Sequence, residues 1–215
     1  MDKIVTIGDS HCQLFANEDR FKRGLWTDTN LENCFDVRWL GPVTFWRLCR
    51  DQKNFIDFDV DIRHYPYANM EVTTKLNDGQ NIILCFGEID IRYHILNHGE
   101  NFRETIDSMI NDFSSYLASY NNRFKIHICS ILPPMTKFEH EEIPFVGTDE
   151  ERRDMTLYFN EKLKEVSEIL NLGFFDLSPI YTNEKNMLEI SKSDNIVHAI
   201  KTLELEEKIK QYFNI

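Results

Sequence analysis

What most constrains this chain is a repeated alternation of short apolar runs with amphipathic helical stretches. Lys3 to Ile7 (KIVTI) runs into Gly8, Phe35 to Leu40 (FDVRWL) into Gly41-Pro42, and Asn81 to Phe86 (NIILCF) into Gly87. Phe124 to Ile131 (FKIHICSI) is stopped by Pro133-Pro134, and Gly173 to Leu177 (GFFDL) makes a fifth run. Between them, Pro42 is placed to open a helix reaching about Asp51. Phe102, Ile106, Met109, Ile110, Phe113 and Leu117 recur at helical spacing, and Thr148 with Glu151 forms a capping-box pattern ahead of Met155, Phe159, Leu163 and Val166. Residues 199–213 read as a last amphipathic helix, and residues 12–34 as irregular with a short helix after Ser10. Strands that alternate with helices build a parallel, doubly wound α/β sheet whose ligands bind beyond the carboxyl ends of the strands. The connection 132–147 is long enough to border such a site.

At 215 residues the chain suits one domain spanning 1–215, and it shows no linker or internal repeat. A formal charge of -12 repels a phosphate backbone and argues against a nucleic-acid partner. No apolar stretch approaches the length of a membrane span, and Met1-Asp2-Lys3 leads into a strand instead of a signal peptide, so a cytoplasmic protein without a membrane partner is expected. The five cysteines are scattered without C-x-x-C spacing, and the seven histidines show no ligand spacing; reduced thiols, no metal and no cofactor are expected. The oligomeric state is not readable from the sequence.

Chemistry concentrates at three places. Gly8-Asp9-Ser10-His11 follows the first strand, so the Ser10 hydroxyl would stand at a strand-to-helix turn, where a nucleophile is presented; helix capping by Asp9 or Ser10 is the plainer alternative. Asp194-Asn195-Ile196-Val197-His198 precedes the last helix: His198 can take the proton from Ser10, and Asp194 can hold the imidazole. Gly41 and the amide of Ser10 are candidate donors to an oxyanion. Gly87-Glu88-Ile89-Asp90-Ile91-Arg92-Tyr93-His94 packs charge at the end of the most apolar strand, where burial would require pairing. A solvated loop is one reading; a substrate-facing role for Glu88, Asp90, Arg92 and also Asp9 is the other. Trp39, Phe45, Trp46, Tyr65 and Tyr67 are core aromatics or a sugar-stacking surface.

The blocks Gly8-Asp9-Ser10, Gly41, Gly87-Glu88-Ile89-Asp90, then Asp194 and His198, resemble in order those of the SGNH or GDSL-like hydrolase superfamily, across nearly the whole chain. The resemblance implies a three-layer, flavodoxin-like five-stranded parallel sheet of order 2-1-3-4-5, with Ser10 as nucleophile, Gly41 as oxyanion donor, and Asp194 with His198 completing a triad. The strings GDSH, LGPVTFW, FGEIDIRYH, PFVGTDEER and SDNIVH look like a subgroup associated with glycan or capsule biosynthesis. Two positions depart from the superfamily's pattern. Ile89 stands where an Asn side chain normally donates to the oxyanion, which leaves Arg92 and His94 as candidate substitutes. Asp194 lies four residues before His198 where three is usual, so that Asn195 occupies the customary position and is the alternative partner of the ring. The resemblance implies an esterase or deacylase acting on an O-acylated carbohydrate or other small ester through acyl-Ser10. An O-acetyltransferase in glycan biosynthesis and a catalytically silent glycan-binding protein are the alternatives.

Overall fold

The computed structural model describes residues 3–17, 23–27, 30–31, 33–50, 62–67, 70–99, 101–138 and 143–215, with the backbone alone at 49–50, 62–67 and 70–74. Strands β1 (Ile4–Gly8), β2 (Phe35–Trp39), β5 (Asn81–Cys85), β6 (Lys125–Cys129) and β7 (Gly173–Phe175) form one parallel sheet of order β2-β1-β5-β6-β7. Counting only these five, that order is 2-1-3-4-5, as expected. A second, antiparallel pair, β3 (Ile62–Tyr67) and β4 (Met70–Thr74), was not foreseen. Its first strand carries Pro66, a residue that speaks against a strand in the interior of a sheet.

Alternation along each strand sends side chains to two cores, which is why both faces need helices. Val5, Ile7, Ile82, Leu84, Ile126 and Ile128 join one core with residues of α1 (Phe45–Arg50), α3 (Phe102–Leu117) and α4 (Asp149–Ile169). Ile83, Cys85 and Cys129 face the other, with Leu14 and Phe15 of the 3-10 helix Ser10–Phe15, and with Leu205 and Ile209 of the last helix, Leu203–Phe213. The sequence's capping box is present at α4: Glu151 N–H donates to Thr148 Oγ1 at 3.1 Å, and Thr148 N–H to Glu151 Oε2 at 2.7 Å.

Two helices begin later than their sequence signals. Gly41 takes a positive φ of 87°, and Val43 N–H closes a turn on its carbonyl, so α1 starts at Phe45 and not at Pro42. Its first amides are collected by a distant carboxylate: Phe45 and Trp46 N–H donate to Asp90. The last helix starts at Leu203 because Ser193 and Ala199 pair as an isolated bridge and Thr202 supplies the N-cap, accepting from Leu205 N–H. The charged block 87–94, for which a solvated loop was one of two readings, is helical from Glu88 onward, with a π-turn at Asp90–His94 running into the short α2 (Ile95–His98). Such wide turns are frequent where helices carry functional side chains.

Candidate active site

Ser10 stands where β1 ends, and the local sequence leaves no room for another arrangement. A Cβ on Gly8 would lie 2.0 Å from the Cys85 carbonyl oxygen, so only glycine lets β1 and β5 close beneath the turn. Asp9 then reverses direction: its N–H donates to the Cys85 carbonyl, and its side chain caps the 3-10 helix by accepting His11 N–H at 2.8 Å. Ser10 itself is half-buried at the rim. Among the described residues, no acceptor takes the N–H of Ser10 or of Gly41. Two backbone donors at the carboxyl ends of the adjacent strands β1 and β2 are thus available to an incoming oxygen.

The second half of the site is the loop 194–198. His198 Nδ1 lies 2.7 Å from Asp194 Oδ2, while Asp194 Oδ1 accepts the backbone N–H of Ile196 at 2.8 Å and of His198 at 3.0 Å. Asp194 N–H in turn donates to the His198 carbonyl. The additional residue is accommodated by Asn195, which adopts a left-handed φ of 60°, a conformation asparagine tolerates better than most side chains. Asp194, and not Asn195, therefore holds the ring. Burial pushes the Asp194 carboxyl up, but the hydrogen bonds from the His198 ring and from the His198 and Ile196 amides outweigh it and bring it down to about 2. For His198, burial is the largest influence and lowers its affinity for a proton; the nearby His11 and Arg23 act in the same direction, and Asp194 opposes them. With its affinity for a proton lowered, the imidazole is neutral at neutral pH, and its Nδ1 faces the Asp194 carboxylate.

Contacts bring this loop against the turn that carries Ser10. The rings of His198 and His11, the residue after Ser10, are 5.8 Å apart, and Arg23, whose charge is felt at His198, donates to the Ser10 carbonyl at 2.7 Å. Beside His11 opens a depression of about 270 Å³ lined by Cys85, Glu88, Cys129, Ser130 and Leu132 among others. A second, of about 220 Å³, shares Glu88 and Leu132 and continues to Arg92, Phe145 and Arg152. The long connection 132–147 lines both depressions where it is described, through Leu132, Pro134, Met135 and Phe145; residues 139–142 lie outside the described part.

The charged block resolves into different roles. Asp90 and Asp9 do not face substrate as expected: both are fully buried, Asp9 capping the 3-10 helix and Asp90 capping α1. Burial, only partly offset by the Trp46 and Phe45 amides, raises the Asp90 carboxyl to about 7, with the Asp9 charge adding to the rise. Glu88 and Arg92, largely buried, pair one helical turn apart at 2.7 Å, and Arg92 Nη1 also donates to the Pro144 carbonyl at 2.9 Å. The His94 ring packs against Trp46 and His98, with centroids at 5.5 and 4.0 Å. The expected role of Arg92 and His94 as substitute oxyanion donors finds no support in these contacts. Phe45 is core, Trp39 and Trp46 are half-buried, and the side chains of Tyr65 and Tyr67 lie outside the described part. His11, Arg23 and Lys201 are site residues that sequence reasoning passed over. His11 adjoined the serine and was readable; nothing marks a buried cation inside a segment read as irregular.

No group of three or more His, Cys, Asp or Glu residues among those described is arranged to hold a metal ion, and no described helix is long and apolar enough to cross a membrane. No protein-family model matches the chain, and no curated protein matches it. Solved structures do. A GDSL-like lipase from Bacteroides thetaiotaomicron superposes with a TM-score of 0.58 at 14% identity, over 99% of this chain and 85% of that one. The acetyl xylan esterase AlAXEase superposes with a TM-score of 0.54 at 13% identity, over 100% of both chains. With the sheet order, this likeness gives the chain the fold of the GDSL-like hydrolases.

Proposed function

We propose that this chain, having the fold of the GDSL-like hydrolases, is a serine ester hydrolase that removes the acyl group from an O-acylated carbohydrate or comparable small ester. The observation that carries the reading is the Asp194–His198 pair, closed at 2.7 Å and set beside the turn that presents Ser10. Ser10 Oγ attacks the ester carbonyl carbon as His198 Nε2 takes its proton; the carbonyl π-electrons move onto oxygen, which meets the N–H groups of Ser10 and Gly41. The imidazolium formed is stabilised by the ionised Asp194. Collapse of the intermediate breaks the ester C–O bond, and His198 returns the proton to the leaving alkoxide. Water, deprotonated by the same nitrogen, then releases the acid and Ser10.

Ile89 favours a slower reaction than three donors would support, since one oxyanion donor is typically worth about 10²- to 10³-fold in rate. That same substitution is what a transferase, or a glycan-binding protein without turnover, would show. The deciding experiment is hydrolysis of p-nitrophenyl acetate together with fluorophosphonate labelling of wild type, Ser10→Ala and His198→Ala. Turnover and labelling in the wild type alone support the hydrolase; labelling with transfer to a sugar hydroxyl in preference to water indicates the transferase. No reaction in the wild type overturns the enzyme reading.

A further inference from the structure

Arg23 is 2% exposed, unusual for arginine, and the carbonyl it holds belongs to Ser10 (Nη2 to O, 2.7 Å). Its own carbonyl accepts the N–H of Lys201, three residues past His198, at 3.0 Å. Lys201 is buried as well: its ammonium donates to the Ala16 carbonyl and, at 3.2 Å, to that of Gly24, and lies 4.9 Å from the Trp26 ring. Residues 23–26 are thereby stitched on one side to the turn carrying Ser10 and on the other to the segment carrying His198.

Burying a guanidinium carries a desolvation cost that an apolar strap would not incur. The charge is placed where its direction and sign act on both halves of the site. We propose that Arg23 is a positioning residue, fixing the backbone of Ser10 against the histidine loop and keeping a buried positive charge beside the His198 ring. This rests on the reading of Ser10 and His198 as nucleophile and base. Among the described residues, the charged and titratable groups acting on His198 include Asp194 on its own loop, His11 from the 3-10 helix, and Arg23 from the strap. Arg23 and His11 oppose a proton on the ring, and Asp194 favours one. Arg23 therefore adds to burial, the largest influence, in disfavouring a proton on the ring, and makes the transient imidazolium a better donor to the leaving oxygen.

The test uses the full chain with its histidines labelled at Cε1, and compares wild type, Arg23→Met and Arg23→Lys. Two quantities are read: the His198 ring titration by NMR, assigned by its loss in His198→Gln, and the pH dependence of fluorophosphonate labelling. In Arg23→Met the titration midpoint moves up, the acid limb of labelling moves with it, and the labelling rate above that limb falls roughly 10- to 100-fold through lost alignment. Arg23→Lys keeps the midpoint low and recovers part of the rate. An unchanged midpoint in a folded Arg23→Met, or identical behaviour of the Met and Lys variants, overturns the proposal. Should Arg23→Met fail to fold, a wild-type His198 that titrates no lower than the ordinary histidine value of 6.5 overturns it equally. Absence of labelling in the wild type would sink the hydrolase reading separately, since the ring titration reports Arg23 without any turnover.

Discussion

Asp194 meets His198 twice: its Oδ2 holds the ring Nδ1 at 2.7 Å, and its Oδ1 accepts the His198 backbone N–H at 3.0 Å. Asp194→Asn can preserve the backbone contact but presents an amide to the ring, which favours the wrong tautomer. The expected loss in kcat for p-nitrophenyl acetate is on the order of 10³- to 10⁴-fold with the fold retained. Asn195→Gly, by contrast, preserves the left-handed position and leaves kcat within a few-fold; a large loss there would transfer the orienting role to Asn195.

The acid limb of kcat/KM is expected below 6.5, the ordinary histidine value, because burial, with His11 and Arg23, disfavours the protonated ring. Activity persists as pH falls until the ring is protonated, and Asp194, at about 2, stays ionised throughout. The linked stability has the same sign: the unfolded ring takes the proton more readily, so this contribution is present above 6.5 and fades as pH drops through the folded value. A limb at or above the ordinary value contradicts the site's burial.

Asp90 titrates in the opposite sense. Its carboxyl is raised from 3.8 to about 7, so the folded state prefers the protonated form; that contribution is full below 3.8 and is lost as pH rises through 7. Denaturant melts at about pH 5 and about pH 8 should show Asp90→Asn less pH-dependent than wild type, the amide having no proton to lose. Equal pH dependence in both proteins assigns the effect elsewhere.

Gly8→Ala is expected to destabilise by roughly 3 kcal/mol or more, because the new methyl would meet the Cys85 carbonyl oxygen at 2.0 Å and force β1 from β5. Gly87→Ala should behave alike, at a φ of 114° and with Ile131 Cδ1 at 2.6 Å. Thermal melts of the two variants decide it; a wild-type melting temperature in either would mean the strands separate there at little cost.

Ile89→Asn restores a donor type at the third block. About tenfold or more in kcat is expected if that amide reaches the oxyanion, against the 10²- to 10³-fold that a donor can supply. No gain would show that two backbone amides are already sufficient, or that the turn aims the side chain elsewhere.

The central strands were legible because both their faces are buried, so Ile82 to Cys85 read as a continuous apolar run. Helix starts were less so, since the cap of α1 comes from Asp90, 45 residues downstream, and no local pattern announces it. Charge at 87–94 left a solvated loop and a substrate-facing element both open; from Glu88 the residues form a helical turn in which Glu88 and Arg92 pair at i and i+4. Ser10, Asp194 and His198 stand out as candidates in the sequence because the proposed chemistry restricts residue type. Arg23 could not, because its use depends on a carbonyl, and every residue has one.

The hydrogen bonds of Asp194 to Ile196 and His198 all begin and end within the same five residues. Ser193, just ahead of them, accepts the Asn195 N–H at 3.1 Å and pairs with Ala199 just beyond them, so the two shoulders of the loop are clasped to each other as well. The aim of the His198 ring is thereby fixed twice, once within the loop and once at its base.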